Sequence, residues 1–333
     1  MPSIQNYNSD QYGEAPLLEL RHLQVEFPTR KGLLRALDDV SFSIMRGETL
    51  GVVGESGAGK SLTGAAIIGL LEPPGRIAGG EIWLEGRRID SHSPEAMRKL
   101  RGKEIAAIFQ DPLTSLNPLF TVGRQLTDTI QTHLSLTYSQ SRQRAVELLA
   151  RTGIPAPELR IDHYPHQFSG GMRQRVVIAL ALAAEPKLIV ADEPTTALDV
   201  SIQAQIIRLL KQVSRDLGTS IMLITHDMGV IAETADRVAV MYAGRVAEIG
   251  AVDAMIHRPK HPYTKGLMAS IPSIRAHRDR LAQIEGAMPR LDVIPKGCAF
   301  NPRCAARFSR CLIERPELQD AGESRAACWA LSQ

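Results

Sequence analysis

The chain has 333 residues, of which 44% are hydrophobic and 23% charged, the composition of an ordinary soluble globular protein. Its formal net charge of +3 is too small to indicate a nucleic-acid partner. Residues 1–14 are polar and predict no signal peptide, and the longest apolar run, Val176–Ala184, falls well short of the ~18 residues of a membrane span. We therefore expect a cytosolic protein with one large domain and an appendage, or two domains.

The first distinctive element is a short apolar strand, Thr49–Val53, followed by a glycine-rich loop and an apolar helix over Leu62–Leu71. The loop fits the phosphate-binding P-loop pattern, and a chance glycine-rich turn would leave the flanking strand and helix unexplained. Its amides and the helix dipole favour an anion. Lys60 is placed to reach the β- and γ-phosphates of ATP, and the Ser61 hydroxyl to bind Mg²⁺. The predicted ATP-binding residues of the loop are Gly54, Glu55, Ser56, Gly57, Ala58, Gly59, Lys60 and Ser61.

The middle of the chain has helical rather than strand periodicity. In residues 141–153, one face carries Ala145, Leu148, Leu149 and Thr152, and Gly153 ends the helix. This pattern predicts a helical subdomain inserted into the nucleotide-binding core.

A second glycine-containing segment, FSGGMRQR, spans Phe168–Arg175. Ser169, Gly170 and Gly171 open a predicted helix that runs to about Ala184. The unpaired amides at the start of this helix and its Cβ-free backbone are suited to face an anion.

Two adjacent carboxylates follow a predicted central strand. Leu188–Ala191 has no polar alternation, which favours a parallel strand covered on both faces. Asp192 and Glu193 come where that strand ends, at the edge where open α/β sheets gather ligands. We expect Asp192 to hold Mg²⁺ and Glu193 to polarise the attacking water. An isolated Asp-Glu pair would favour a solvated turn, but the upstream P-loop favours the catalytic interpretation.

His226 closes a further apolar strand, Ile221–Thr225. A single His after an apolar strand is more often structural. Because three such strands are expected to end at one sheet edge, His226 is predicted to sense the γ-phosphate.

All four cysteines lie in the C-terminal 80 residues, at Cys298, Cys304, Cys311 and Cys328. Disulfides are unexpected in a reducing cytosol, whereas four thiolates suit tetrahedral zinc or an iron–sulfur cluster. The spacing matches neither the usual zinc knuckles nor the ferredoxin runs. Zinc, an iron–sulfur cluster and free thiols therefore remain open on spacing alone.

The motifs from the P-loop to His226 resemble the set that marks the ATP-binding-cassette (ABC) ATPases, over about Leu17 to Gly250. The resemblance implies an α/β P-loop nucleotide-binding domain with a RecA-like core, an inserted helical subdomain and an N-terminal antiparallel β-subdomain. We expect this ATPase domain over 17–255, with the helical subdomain at about 111–184. A small cysteine-containing extension is expected over 256–333.

The same resemblance implies further roles. Gln110 falls at the Q-loop position, and Met172 replaces the Gln most common in the signature. The signature is expected to cap ATP held by the opposite subunit. Phe27 is a candidate to stack on adenine, with a plain core role as the alternative. The implied sets are catalytic Glu193, His226 and Gln110; Mg²⁺ ligands Ser61, Gln110 and Asp192; signature residues Ser169, Gly170, Gly171 and Met172; and the D-loop residue Asp199.

Four segments narrow the resemblance to the ATPase subunits of dipeptide and oligopeptide ABC importers, especially the D-type subunits of dipeptide importers. They are FQDPLTSLNP (Phe109–Pro118), YPHQFSGGM (Tyr164–Met172), HPYTKGL (His261–Leu267) and GCAFNPRC (Gly297–Cys304). Some members hold a [4Fe–4S] cluster in this tail, so the resemblance favours a cluster on the four cysteines over zinc.

The resemblance also implies partners and a place in the cell. We expect a second ABC ATPase (a paralogue or another copy), two multi-span membrane permeases and an external substrate-binding protein, at the cytoplasmic face of the inner membrane. Residues from about Asp111 to Leu134 are expected to receive a helix of the permease. Nickel chelates or glycosides are alternative cargoes. A non-transport ABC ATPase is the rival class, disfavoured by the single cassette and the absence of heptad runs.

Overall fold

The computed structural model describes residues 15–30, 32–196, 198–270 and 283–332. The polar segment Met1–Glu14, on which the expectation of no signal peptide rests, lies outside these residues. Within the described ranges, no helix combines the length and apolarity needed to cross a membrane.

Strands and helices are named here in chain order. The strands are β1 (Leu18–Thr29), β2 (Gly32–Ile44), β3 (Thr49–Val53), β4 (Arg76–Leu84), β5 (Arg87–Arg88), β6 (Ile105–Ile108), β7 (Leu188–Asp192), β8 (Ser220–Ile224), β9 (Arg237–Tyr242), β10 (Arg245–Ala251), β11 (Gln319–Asp320) and β12 (Ser324–Ala326). The helices are α1 (Lys60–Ile67), α2 (Pro94–Leu100), α3 (Pro112–Ser115), α4 (Val122–His133), α5 (Tyr138–Arg151), α6 (Pro157–Arg160), α7 (Gly170–Ala181), α8 (Val200–Leu217), α9 (Met228–Thr234), α10 (Val252–His257), α11 (Pro262–Ala269) and α12 (Ser309–Ile313).

The N-terminal strands form an antiparallel sheet in the order β2-β1-β4-β5. Alternate residues of β1 and β2, such as Leu18, Leu20 and Phe42, are buried in one apolar cluster with α1. The expected N-terminal antiparallel β-subdomain is confirmed.

The central sheet has the order β11-β12-β10-β9-β3-β8-β7-β6. Strands β9, β3, β8, β7 and β6 pair in parallel, whereas β10 to β12 are antiparallel. Every residue of β3 and β8 is buried, as expected of parallel strands covered on both faces. The carboxyl ends of β3, β6, β7 and β8 therefore meet at one edge, and the loops from these ends carry the predicted site residues.

Helices α3 to α7 lie between β6 and β7 in the chain. As predicted, the face of α5 with Ala145, Leu148 and Leu149 is buried, together with Leu126 and Ile130 of α4. A capping box of Thr137 and Gln140 starts α5. These contacts form the inserted helical region.

Two helices end earlier than the sequence predicted. The helix after the P-loop was expected to reach Leu71 but ends at Ile67, because Gly69 takes a left-handed φ of 66° that α1 cannot continue through. The helix that starts after Ser169 was expected to reach about Ala184 and ends at Ala181.

The C-terminal extension is joined to the central sheet. Strand β12 pairs with β10, and the fully buried Glu248 of β10 accepts hydrogen bonds from the amides of Lys260 and His261 and from the Ser324 hydroxyl. Satisfying a buried carboxylate with three donors ties the extension to the core.

Candidate active site

The P-loop links β3 to α1 and owes its shape to glycines in left-handed conformations. Gly54 has φ 150° and Gly59 φ 101°. A Cβ at Gly54 would collide with the carbonyl oxygen of Met241, and one at Gly59 would lie 2.6 Å from a Leu37 methyl. The loop backbone is therefore packed too closely for side chains at these positions, as in loops that fold around an anion at a helix N-terminus.

Lys60 is buried and its Nζ donates to the carbonyl oxygens of Gly54 (2.8 Å) and Glu55 (3.0 Å). Burial lowers the pKa of Lys60, while the charges of Glu193, Asp192 and Glu55 act in the opposite direction. The ammonium thus lies folded over the loop, close to where phosphate oxygens would take the place of the carbonyls.

Ser61 and Asp192 lie side by side, and the Ser61 hydroxyl donates to Asp192 Oδ1 at 2.9 Å. Burial raises the pKa of Asp192, and the hydrogen bond from Ser61 opposes that rise. Oxygen ligands from a hydroxyl and a carboxylate fit Mg²⁺, which is usually held by one or two protein groups together with water and substrate phosphates.

Glu193 is the residue where the predicted catalytic side chains meet. Thr196 Oγ1 donates to its Oε2 at 2.8 Å, Gln110 Nε2 donates to the same oxygen at 3.3 Å, and His226 Nδ1 lies 3.3 Å from its Oε1. Burial opposes ionisation of Glu193, but the hydrogen bonds from Thr196 and His226 and the charges of His226 and Lys60 outweigh it, so its pKa is lowered. The carboxylate is therefore charged at neutral pH.

The backbone at Glu193 is strained. Its φ is 47°, a left-handed value that costs a non-glycine residue about 1–3 kcal/mol and concentrates at functional sites. Its amide donates to Ile224 O of β8 at 2.9 Å, which holds this conformation. In this conformation the Glu193 carboxylate contacts the side chains of Gln110 and His226.

Gln110 was expected to bind Mg²⁺ together with Ser61 and Asp192. In the structure the Gln110 side chain instead bonds Glu193. Asp199 is exposed and caps α8 through its backbone, with no side-chain bond to the helix. His226 is 62% exposed, so its ring has room for a further ligand.

The signature residues are separate from this cluster. Ser169 caps α7, its Oγ accepting from the Met172 amide at 3.4 Å, and Ser169 and Gly170 are exposed. Across the described residues no hydrogen bond joins Ser169, Gly170 or Gly171 to the P-loop of the same chain. The exposed start of α7 is thus free to meet a ligand from another molecule.

Phe27 lies half-buried at the end of β1 and packs on the apolar cluster of the N-terminal sheet. A Cβ at Gly75 would lie 2.6 Å from its ring. This position fits a core role, and stacking on adenine stays a prediction.

Sequence reasoning missed two residues of the extension that contact the P-loop. The Tyr263 hydroxyl accepts from the Glu55 amide at 2.9 Å, and Arg303 donates to Glu55 Oε2 at 2.9 Å. Both lie in segments noted above, HPYTKGL and GCAFNPRC, but nothing local indicates a partner 208 or 248 residues away.

The four cysteines line one small indentation, together with His261, Phe300 and Trp329. Burial raises the pKa of Cys298 to about 11, with further contributions from the other three cysteines. Within the described residues, however, no group of three or more His, Cys, Asp or Glu side chains is arranged to hold a metal ion. The predicted metal site is therefore not supported by the geometry of the chain alone.

A family model described as "ABC transporter" matches residues 37–196, and one described as "Oligopeptide/dipeptide transporter, C-terminal region" matches residues 247–311. The chain is 52% identical over 289 residues to the oligopeptide transport ATP-binding protein OppD of Bacillus subtilis, covering 86% of this chain and 81% of the relative. It is 46% identical over 309 residues to the dipeptide transport ATP-binding protein DppD of Escherichia coli, covering 93% and 94%.

A solved structure has a similar fold. The ATP-binding cassette MJ0796, in a dimeric post-hydrolysis state bound to ADP and Pi, superposes with a TM-score of 0.64 at 28% identity, covering 71% of this chain and 98% of the cassette.

Proposed function

The chain belongs to the ABC transporter family of oligopeptide and dipeptide transport ATP-binding proteins, and on this premise we propose that it is the ATP-hydrolysing subunit that powers import of short peptides. The observation that carries this proposal is the meeting of Lys60, Ser61, Asp192 and Glu193 at one sheet edge, in a chain that also matches the peptide-transporter C-terminal region.

The chain's own residues account for the ATPase steps. The P-loop amides and Lys60 bind the phosphates, and Ser61 and Asp192 would hold Mg²⁺, which neutralises phosphate charge when bound. Glu193 accepts a proton from the water that attacks the γ-phosphorus, and ADP leaves with the oxygen of the broken bond. Gln110 and His226 orient the carboxylate and the γ-phosphate, respectively.

The site is proposed to be completed by a second ATPase subunit, either another copy or a paralogue. The exposed start of α7, with Ser169, Gly170 and Gly171, would cap ATP held by that partner. Closure of the pair would drive two membrane permeases, with an external substrate-binding protein selecting cargo, at the cytoplasmic face of the inner membrane.

The permease is proposed to dock on residues 111–134. This segment exposes large apolar side chains: Leu113 is 61% exposed, Leu119 78% and Phe120 44%. Such a grouping on a soluble surface is typical of an interaction site. It adjoins Gln110, so movement there would reach Glu193 directly.

Uptake by cells tests both cargo and docking. In a strain lacking this chain, the wild-type gene should restore uptake of a labelled dipeptide, and Leu119→Asp should reduce it on the order of tenfold. Purified Leu119→Asp should keep wild-type ATPase activity, because the Leu119 side chain is 78% exposed and its amide bonds Asn117 of the same segment. The matched control is Leu33→Asp, at an exposed leucine of β2 (64%).

If the wild-type gene restored uptake of nickel chelates or glycosides but not of dipeptides, the proposed peptide cargo would be wrong. If the wild-type chain restored no uptake and purified with ribosomes or DNA, a non-transport ABC ATPase would replace the proposal. Full uptake with Leu119→Asp would show that the permease does not dock on residues 111–134 through this side chain.

The cysteine site is proposed to hold a [4Fe–4S] cluster, with zinc as the alternative. In its support, all four thiols line one indentation although they do not converge as a single-ion site. Thiols spread around a space suit a multi-atom cluster better than one tetrahedral ion. Burial raises the pKa of Cys298, Cys304 and Cys328, so binding would release protons and be favoured by higher pH.

Metal analysis of protein purified without oxygen tests the cluster. We expect about four iron and four acid-labile sulfide per chain, lost in Cys298→Ser. An exposed-serine control, Ser139→Ala, should leave the content unchanged. Zinc without sulfide would establish the alternative, and a metal-free chain would contradict both.

A further inference from the structure

The C-terminal extension lies directly against the P-loop. Tyr263, Met288 and Arg303 approach the loop from the same extension: Tyr263 and Arg303 bond Glu55, and a Cβ at Gly57 would meet the Met288 methyl at 3.1 Å. The extension therefore contributes part of the wall behind the loop that binds phosphates.

Tyr263 is held rigidly where it meets the loop. It is fully buried, its ring packs edge-to-face on Tyr242 at 4.6 Å, and its amide donates to His261 Nδ1 at 3.0 Å. Burial lowers the pKa of His261 to about 4, so the ring is neutral and Nδ1 acts as an acceptor. The Tyr263 hydroxyl thus presents a fixed acceptor to the Glu55 amide.

Arg303 is equally constrained. Its side chain is 6% exposed, and besides Glu55 it donates to Ile284 O (3.2 Å) and Glu285 O (2.9 Å). It also lies near the Tyr242 hydroxyl, at 3.4 Å. A guanidinium buried to this degree needs a carboxylate partner, and Glu55 of the P-loop supplies it.

The charge of Glu55 gives this contact a consequence for nucleotide binding. Glu55 lies in the loop that must accept a polyanion, and its charge is felt at the Lys60 ammonium. An unpaired carboxylate there would repel phosphates, whereas the ion pair with Arg303 neutralises it.

We propose that Arg303 and Tyr263 are positioning residues for ATP, which fix the P-loop and neutralise Glu55 so that the C-terminal extension completes the nucleotide site. This inference rests on ATP binding at the P-loop. It deepens the proposed function, because the extension then acts on ATP affinity.

The test measures binding of MgADP to the full chain by calorimetry. Arg303→Met should weaken binding about tenfold, since a charge-assisted contact is lost and Glu55 is left unpaired. Adding Glu55→Gln to Arg303→Met should recover most of that loss, because it removes the unpaired charge. In steady-state assays KM for ATP should rise while kcat changes by less than about twofold, as expected for lost uniform binding.

The matched control is Arg258→Ala. Arg258 pairs with Glu323 of the extension at 2.9 Å, is 54% exposed and has no described contact with the P-loop. It should leave MgADP affinity unchanged.

Several results would overturn the inference: wild-type affinity in Arg303→Met, a loss that Glu55→Gln does not rescue, or an equal loss in Arg258→Ala. Should Arg303→Met fail to fold, Tyr263→Phe decides, since it removes only the hydroxyl; it should weaken MgADP binding about threefold, and unchanged affinity would refute the positioning role. A wild-type chain that binds no MgADP would instead refute the ATPase function itself.

Discussion

Glu193→Gln is expected to slow ATP hydrolysis by about 10²–10⁴-fold while ATP stays bound. The glutamine keeps the shape of the side chain and can still accept the hydrogen bond from Thr196, but it cannot take a proton from water. Because the P-loop and Lys60 are untouched, the nucleotide should accumulate in a closed dimer. Phosphate release and size-exclusion chromatography with light scattering measure the two effects.

The pH dependence of the wild-type rate should follow from the lowered pKa of Glu193. A carboxylate with a lowered pKa remains ionised as the pH falls through its usual range near ~4.3, and it loses its proton-accepting form only below that range. Hydrolysis should therefore show no loss attributable to Glu193 between about pH 5 and 8.

Glu185→Gln is the matched control. Glu185 precedes β7, also has a left-handed φ (54°) and is 61% exposed in an ion pair with Arg144. Loss of this carboxylate should leave turnover unchanged. Wild-type turnover in Glu193→Gln would show that Glu193 does not accept the proton of the attacking water.

The parts of the site that could be predicted are those encoded locally. The apolar strands β3, β7 and β8 read as buried because they lack polar alternation, and parallel pairing then forces their ends to one edge. Asp192 follows directly in β7, so its place at the edge needed no knowledge of distant contacts. The P-loop was predictable for the same reason, since its glycines are required by its own backbone.

The parts that could not be predicted depend on distant contacts. Neither the pairing of β12 with β10 nor the contact of Arg303 with Glu55 has a local signature, because each is decided by how the extension folds back on the core. The turn of Gln110 toward Glu193 likewise depends on two loops from different strands. Spacing of the cysteines could not reveal that they share one indentation, since segments up to 30 residues apart in the chain come together there only when the extension folds.

Gly170→Asp is expected to prevent the ATP-dependent dimer that Glu193→Gln traps. If the start of α7 caps the γ-phosphate of the partner's ATP, a carboxylate at this position faces that phosphate, and such like-charge contacts cost several kcal/mol. The affinity of the closed dimer should fall on the order of a hundredfold. Glu193→Gln and the Glu193→Gln/Gly170→Asp double variant are compared by light scattering with ATP, with the partner ATPase supplied if the first does not dimerise alone.

The fold of the single chain makes this test selective. A Cβ at Gly170 would meet only a Leu198 methyl at 3.7 Å, an ordinary contact, whereas one at Gly171 would lie 2.8 Å from Ile202. Gly170→Ala and Gly170→Asp should therefore keep the wild-type unfolding temperature and MgADP affinity. Ser139→Asp adds the same charge near the start of α5, at an exposed position, and should leave the trapped dimer intact. A dimer that survives Gly170→Asp would show that α7 does not face the partner's nucleotide, because neither misfolding nor a weakened P-loop could then account for the result.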